Sequence, residues 1–254
     1  MKSKTEAIIL GSMNLGEADR LVTFLSPSRG RLSGVAKNAR KSFRRFGAGL
    51  EMFTHSMLVL YEREHQHIVR IEAADIIHQP SGISADLVRL GAGIVMLELV
   101  REMTPEGDPV CAEPAFRLLS DTIRLLSEAE DPVFLLRIFE IKFLSILGYQ
   151  PRLDRCLSCG VYGRGFMIFH AMRGGVLCPS CMVSSGEDEV RLSAGTVGFY
   201  YQALRMEMDR VQRLRPSTYI IRELDRTLGM HTQHILGKRL RSVEFLMTVQ
   251  ALSC

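Results

Sequence analysis

Four cysteines in two matched pairs carry the sharpest chemical signal in the chain. Cys156-Leu157-Ser158-Cys159 and Cys178-Pro179-Ser180-Cys181 are both C-x2-C, with eighteen residues between them. A C-x2-C turn aims two thiolates at one centre, and two such turns complete the tetrahedron of soft ligands that structural zinc takes. Gly160 directly follows the first pair, where a tight turn gains from permissive backbone angles. Gly163, Gly165, Gly174 and Gly175 divide the intervening segment into a hairpin, with residues 166–172 as one strand. Four thiolates fill zinc's shell and leave no position for water, which argues against hydrolytic metal catalysis. An iron–sulfur cluster, a redox dithiol and unmetallated thiols are the rival readings. Cys111 and Cys254 lie outside the pattern and read as incidental free thiols.

The other candidates for chemistry are weaker. His65-Gln66-His67 reads as a polar hairpin tip rather than two imidazole ligands. His231 and His234, near Arg239 and Arg241, read as an exposed helix face. The acid groups Glu62/Glu64 and Glu187/Asp188/Glu189 fall in turns or edge strands, where carboxylates are solvated. No phosphate-binding G-x-x-x-x-G-K-[ST], no G-x-S-x-G and no H-E-x-x-H occurs. No catalytic constellation emerges, so the expectation is a protein that is not an enzyme.

Charge is unevenly placed. Residues 1–80 hold twelve Lys/Arg and eight Asp/Glu, which equals the whole net charge of +4. Residues 20–50 contain eight basic residues and no acidic one. Residues 81–190 are acidic on balance and residues 191–254 basic. A clustered positive segment is a footprint for phosphate, because each neutralising cation releases a condensed counterion. The densest part is residues 37–45, with five cations and Phe43 interleaved, Phe46 following. Aromatics in a basic strip offer stacking faces to unpaired bases; equally, they can anchor the loop into a core. The candidate nucleic-acid contacts are Arg29, Arg31, Lys37, Arg40, Lys41, Arg44 and Arg45, with Arg239 and Arg241 as further phosphate contacts.

The elements that must position these residues change type along the chain. Short β-branched and aromatic runs at 5–11, 21–25, 32–36, 52–61 and 68–77 predict five strands, and Asn14, Gly16, Asp19 and Gly30 punctuate them. Five strands in about 80 residues suggest a small barrel of the oligonucleotide-binding (OB) type, with the basic loop between the third and fourth strands. Helical periodicity then takes over at 83–103, 115–128, 132–147, 193–208, 217–228 and 232–248. Asp131-Pro132 opens the third of these, and its apolar character places it at the centre of a bundle. The expected architecture is α+β in two domains: a barrel over 1–80 and a helical domain over 81–254, with the zinc module at about 152–190.

Composition bounds the setting. At 254 residues, with 46% hydrophobic and 24% charged side chains, the chain suits a globular protein of two or three modules. No run reaches the roughly 18 to 20 apolar residues of a membrane span. The apolar stretch 7–10 is shorter than the core of a signal peptide, so a cytoplasmic protein with reduced thiols is expected.

Several segments resemble the RecO family of bacterial recombination-repair mediators. They are Gly16-Glu17-Ala18-Asp19-Arg20-Leu21-Val22, Gly30-Arg31-Leu32-Ser33-Gly34-Val35-Ala36-Lys37, Lys41-Ser42-Phe43-Arg44-Arg45-Phe46, Leu147-Gly148-Tyr149-Gln150-Pro151, Cys156-x-x-Cys159-Gly160 and Gly174-Gly175-Val176-Leu177-Cys178. The resemblance implies binding of single- and double-stranded DNA and annealing of complementary strands. It also implies partnership with RecR and with single-strand-binding protein, and help in loading RecA onto gaps. By matching position it assigns DNA contact to Lys37, Arg40, Lys41, Arg44 and Arg45. Where many relatives carry a small residue followed by Arg-Arg-Pro, this chain has Asn38-Ala39-Arg40-Lys41. Some relatives lack the cysteines, which makes the metal a scaffold. Two other readings fit the residues: a zinc-ribbon RNA-binding or transcription-associated factor, and a metalloenzyme acting on nucleic acid.

Overall fold

Burial alternates residue by residue in β3 (Gly30–Ala36), which turns Gly30, Leu32, Gly34 and Ala36 inward and leaves Arg31, Ser33 and Val35 outside. That period of two is the signature of a strand with one face in a core. The computed structural model describes residues 2–61, 68–162, 165–182 and 189–252. The expectations for His65, Gln66, His67, Glu62, Glu64, Gly163, Glu187, Asp188 and Cys254 lie outside the described residues.

The other early strands are β1 (Lys2–Leu15), β2 (Asp19–Ser26), β4 (His55–Tyr61) and β5 (Val69–His78). Their pairings form a closed circuit in the order β1-β2-β3-β5-β4, with β1 also hydrogen-bonded to β4. Only β3 and β5 run parallel, aligning Gly34 with Val69 and Ala36 with Ile71. A register shift between Ile9 and Gly11 lets one long strand serve two neighbours, as a bulge does. The interior is narrow at Gly34, where an added Cβ would fall 2.8 Å from Ile71 Cγ1 and 3.0 Å from Val69 Cγ2.

The core holds Ala7, Ile9, Val22, Phe24, Leu58, Leu60 and Ile71, together with Phe46 and Leu50 from the segment between β3 and β4. Phe46 ends a single helical turn, α1 (Phe43–Phe46). Burying a phenylalanine stabilises by roughly 1.5 to 3 kcal/mol, so Phe46 fastens the basic loop to the barrel.

The chain divides into two compact units, Met1–Glu130 with Ser242–Cys254, and Asp131–Arg241. The first unit therefore reaches past residue 80. It takes in α2 (Leu87–Met103), packed on β1, and α3 (Ala112–Leu126), packed on β2 and β3. It also takes in nearly all of α7 (Arg241–Leu252), where the Ser242 amide donates to the Glu98 carboxylate of α2 at 2.8 Å.

In the second unit α4 (Pro132–Ile146) is capped by Asp131, whose carboxylate accepts from the Phe134 amide at 2.9 Å. Burial of Leu135, Leu136, Ile138, Phe139, Ile141, Phe143 and Leu144 makes α4 the apolar centre expected of it. Two charged residues are buried with them: Arg137 pairs with Glu140 and with Asp225 of α6 (Thr218–Leu236), the latter at 3.1 Å. The last helices correct the sequence boundaries. No break falls between 228 and 232; α6 runs on to Leu236 and stops at Gly237, which takes the left-handed φ of +66°. Among the described residues there are seven α-helices, and the chain is a mixed α+β protein.

Candidate metal centre and nucleic-acid interface

The cysteine module lies between α4 and α5 (Ala194–Arg205). A three-stranded sheet in the order β7-β6-β8 supports it, built from β6 (Met167–His170), β7 (Gly175–Leu177) and β8 (Glu189–Leu192). The segment before the first cysteine pair is stitched to β7: Arg152 N–H donates to Gly174 O, Val176 N–H to Arg152 O, and Leu157 N–H to Val176 O, all at 2.9–3.0 Å. Since β7 leads straight into Cys178, these bonds bring the two C-x2-C turns together. Gly160, at φ +73°, closes the first turn by donating to Cys156 O.

All four sulfurs lie within 4.8 Å of one another, and Cys159 Sγ is 3.7 Å from Cys178 Sγ. A metal held at about 2.3 Å from each sulfur makes tetrahedron edges of about 3.8 Å. The donor set fits one tetrahedral metal ion. It is too tight for a multinuclear iron–sulfur cluster, which must seat its own sulfides among the ligands. Burial pushes the Cys156 thiol up, but amides of Cys159, Cys178 and Ser158 outweigh it and bring the group down to about 6. A thiolate is the form that ligates metal. Cys111 lies in the loop before α3, half-buried and outside the cluster.

The basic residues of the first unit separate into builders and projectors. Arg20 pairs with Glu51 at 2.7 Å. Arg31 donates to Thr104 O at 2.8 Å and lies 3.9 Å from Glu106, so its guanidinium is committed to the loop ahead of α3. Arg45 donates through Nε to Ser42 Oγ and through Nη2 to Lys37 O, and its guanidinium sits over the Phe46 ring. Arg40 is exposed, with Nη1 on Glu17 O and its amide on Ala18 O. Asn38, at φ +56°, donates its amide to Asp19 Oδ1. The loop is thereby tied to the β1–β2 hairpin. Lys37, Lys41 and Arg44 are exposed, with no side-chain partner among the described residues. Arg29 is half-buried at the β2–β3 turn. Arg239 and Arg241 are exposed and belong to the second unit.

The aromatics of the loop divide. Phe46 is 2% exposed and Phe43 85%. His231 is a second correction to the sequence reading: it is buried, with Nε2 donating to Tyr149 O at 2.7 Å and its ring edge-on to Phe169. Burial lowers its pKa, against the pull of the Tyr149 carbonyl. His234 is exposed as expected.

One feature of the second unit escaped the sequence. A groove of about 610 Å³ is lined by Tyr201, Gln202, Arg205, Met206, Glu207 and Arg210. Lys142 fixes the end of α5 beside it by donating to Leu204 O and Met206 O. Only the surplus of arginines in residues 191–254 hinted at it.

The family model described as "Recombination protein O N terminal" matches residues 1–80, and that described as "Recombination protein O C terminal" matches residues 84–244. Curated relatives match along nearly the whole chain. "DNA repair protein RecO" of Symbiobacterium thermophilum is 33% identical over 251 residues, 97% of each chain. That of Syntrophus aciditrophicus is 30% identical over 250 residues, 97% of this chain and 96% of its own. That of Roseiflexus sp. is 35% identical over 252 residues, 97% of this chain and 86% of its own.

Proposed function

The chain belongs to the RecO family of DNA repair proteins, and on that premise we propose that it is a non-enzymatic mediator of recombinational repair which binds single- and double-stranded DNA through an OB-type barrel and anneals complementary strands. The observation that carries this reading is the pinned basic loop at residues 37–46, in which the side chains of Lys37, Lys41 and Arg44 are exposed and have no partner among the described residues. Such cations neutralise two backbones at once, so complementary bases can meet without the repulsion of their phosphates. The reading assigns the barrel domain to residues 1–80 and the helical domain to residues 81–254; it adds Arg29 to the DNA contacts of the first unit and makes Arg239 and Arg241 separate phosphate contacts of the second.

Zinc is the metal that best suits Cys156, Cys159, Cys178 and Cys181. Bound there it supplies a cross-link between the two turns and no reactive position. The partners in this account are RecR and single-strand-binding protein, with RecA loaded as a consequence. The groove at Tyr201, Arg205 and Arg210 suits the acidic tail of single-strand-binding protein by charge. The setting is cytoplasmic and nucleoid-associated; among the described residues no helix is long and apolar enough to cross a membrane.

A strand-annealing assay on bare DNA and on DNA coated with single-strand-binding protein tests this function. Acceleration on both substrates supports it. Equal or tighter binding to RNA of the same length would instead favour the zinc-ribbon RNA-binding alternative, because a 2′-OH contact discriminates the two polymers.

A further inference from the structure

Phe43 is the most exposed large apolar side chain among the described residues, at 85%. Nothing in the fold calls for it there, since Phe46 already fills the barrel end three residues on. The loop that carries it is held in one shape. Arg45 bridges Ser42 and Lys37, the Lys41 amide donates to Asn38 O, the Gly47 amide to Phe43 O, and the Arg40 amide reaches Ala18. The ring is thus presented from a braced turn, with the exposed cations Arg40, Lys41 and Arg44 around it in sequence.

We propose that Phe43 is a base-stacking residue that gives this loop a preference for unpaired over paired strands. The inference rests on the reading of the barrel as a DNA interface and names what that interface selects. A duplex covers the faces of its bases with neighbouring bases and offers the loop only phosphates and edges. An unpaired base has a free face, and an aromatic ring beside phosphate-binding cations can take it up. The cations then supply grip on either form, and the ring supplies the difference between them.

The test uses the full chain and equal-length single strands, duplexes and single strands carrying abasic sites, titrated by anisotropy at one salt concentration. Phe43→Ala should weaken single-strand binding by about 5- to 150-fold, the range that losing one stacked base gives. Duplex affinity should stay within about two-fold, and the salt slope should not change, because no phosphate contact is lost. Abasic strands should bind the wild type and Phe43→Ala alike. The chain contains no tryptophan, so Phe43→Trp is a single reporter. It should keep single-strand affinity, and its emission should be quenched by single strands but not by duplex. Phe43→Leu, which keeps bulk without the aromatic face, should behave as Phe43→Ala. Wild-type affinity for single strands in Phe43→Ala, or equal losses on single strands and duplex, would overturn the inference. A wild-type protein that binds neither form would overturn the DNA-binding reading itself, and the inference with it.

Discussion

The guanidinium of Arg45 lies 4.8 Å from the centroid of the Phe46 ring, so a cation of the basic loop rests on the aromatic side chain that anchors the loop to the barrel. Cation–π contact adds to the two hydrogen bonds that Arg45 makes to Ser42 and Lys37. The five cations of residues 37–45 are therefore unequal. Arg45 shapes the loop, and Lys37, Lys41 and Arg44 face solvent.

Removing Arg45 should then look like a stability defect first. Arg45→Ala loses charge-assisted hydrogen bonds that should be worth about 1 to 3 kcal/mol together, and thermal melts should show it. Lys41→Glu and Arg44→Glu should change stability by no more than about 0.5 kcal/mol, as exposed surface substitutions do.

Arg137 should be among the most sensitive positions of the second unit. It is buried with Glu140 and reaches Asp225 on α6. Arg137→Ala strands a buried carboxylate and should destabilise by about 3 to 5 kcal/mol. Replacing Arg137 and Glu140 together with Met and Leu should recover most of that loss. Chemical denaturation of the two variants checks both statements.

Purified protein should carry one zinc per chain, bound by the four clustered thiols. Chelation, or Cys156→Ser, should unfold the module around residues 152–192 and lower the melting temperature, because metal binding and local folding are one equilibrium. Elemental analysis with circular dichroism before and after chelation reads the result. Metal-free protein with unchanged structure would contradict it.

His231 gives a pH dependence with a definite sign. A neutral ring that donates from Nε2 to the Tyr149 carbonyl must keep its proton on that nitrogen, and its folded pKa lies below the ordinary value of about 6.5. The unfolded chain then binds more protons just below that value. Stability is present at neutral pH and falls as the pH drops through the range below about 6.5. His231→Gln cannot titrate, so its melting temperature should fall less than that of the wild type between pH 7.5 and pH 5.5.

What the sequence revealed and what it hid follow from how far apart the partners lie. The strands and the metal site rest on local patterns: alternation in β3, and pairs of cysteines two residues apart. The role of Arg31 was hidden because its acceptor, Thr104, lies 73 residues away. His231 was read as exposed because its partner carbonyl is 82 residues away. The helix boundary was misjudged because Gly229 costs a helix only about 1 kcal/mol, and burial of Leu228, His231 and Thr232 carries α6 through it. The extent of the first unit depends on α7 returning to Glu98, across 144 residues. Phe43 and Phe46 are the same residue type in one motif, and only the packed structure separates the core residue from the exposed one.

The projecting cations of the barrel loop are proposed to grip the phosphate backbone. The direct test is single-strand affinity measured across a series of salt concentrations for the wild type and for the variant Lys37→Glu/Lys41→Glu/Arg44→Glu. The wild type should bind at low salt, with log K falling linearly with log salt. The variant should lose about 0.7 from the slope per removed contact and most of the affinity, with an unchanged melting temperature. A variant that binds with wild-type affinity and slope would show that these cations do not hold the backbone.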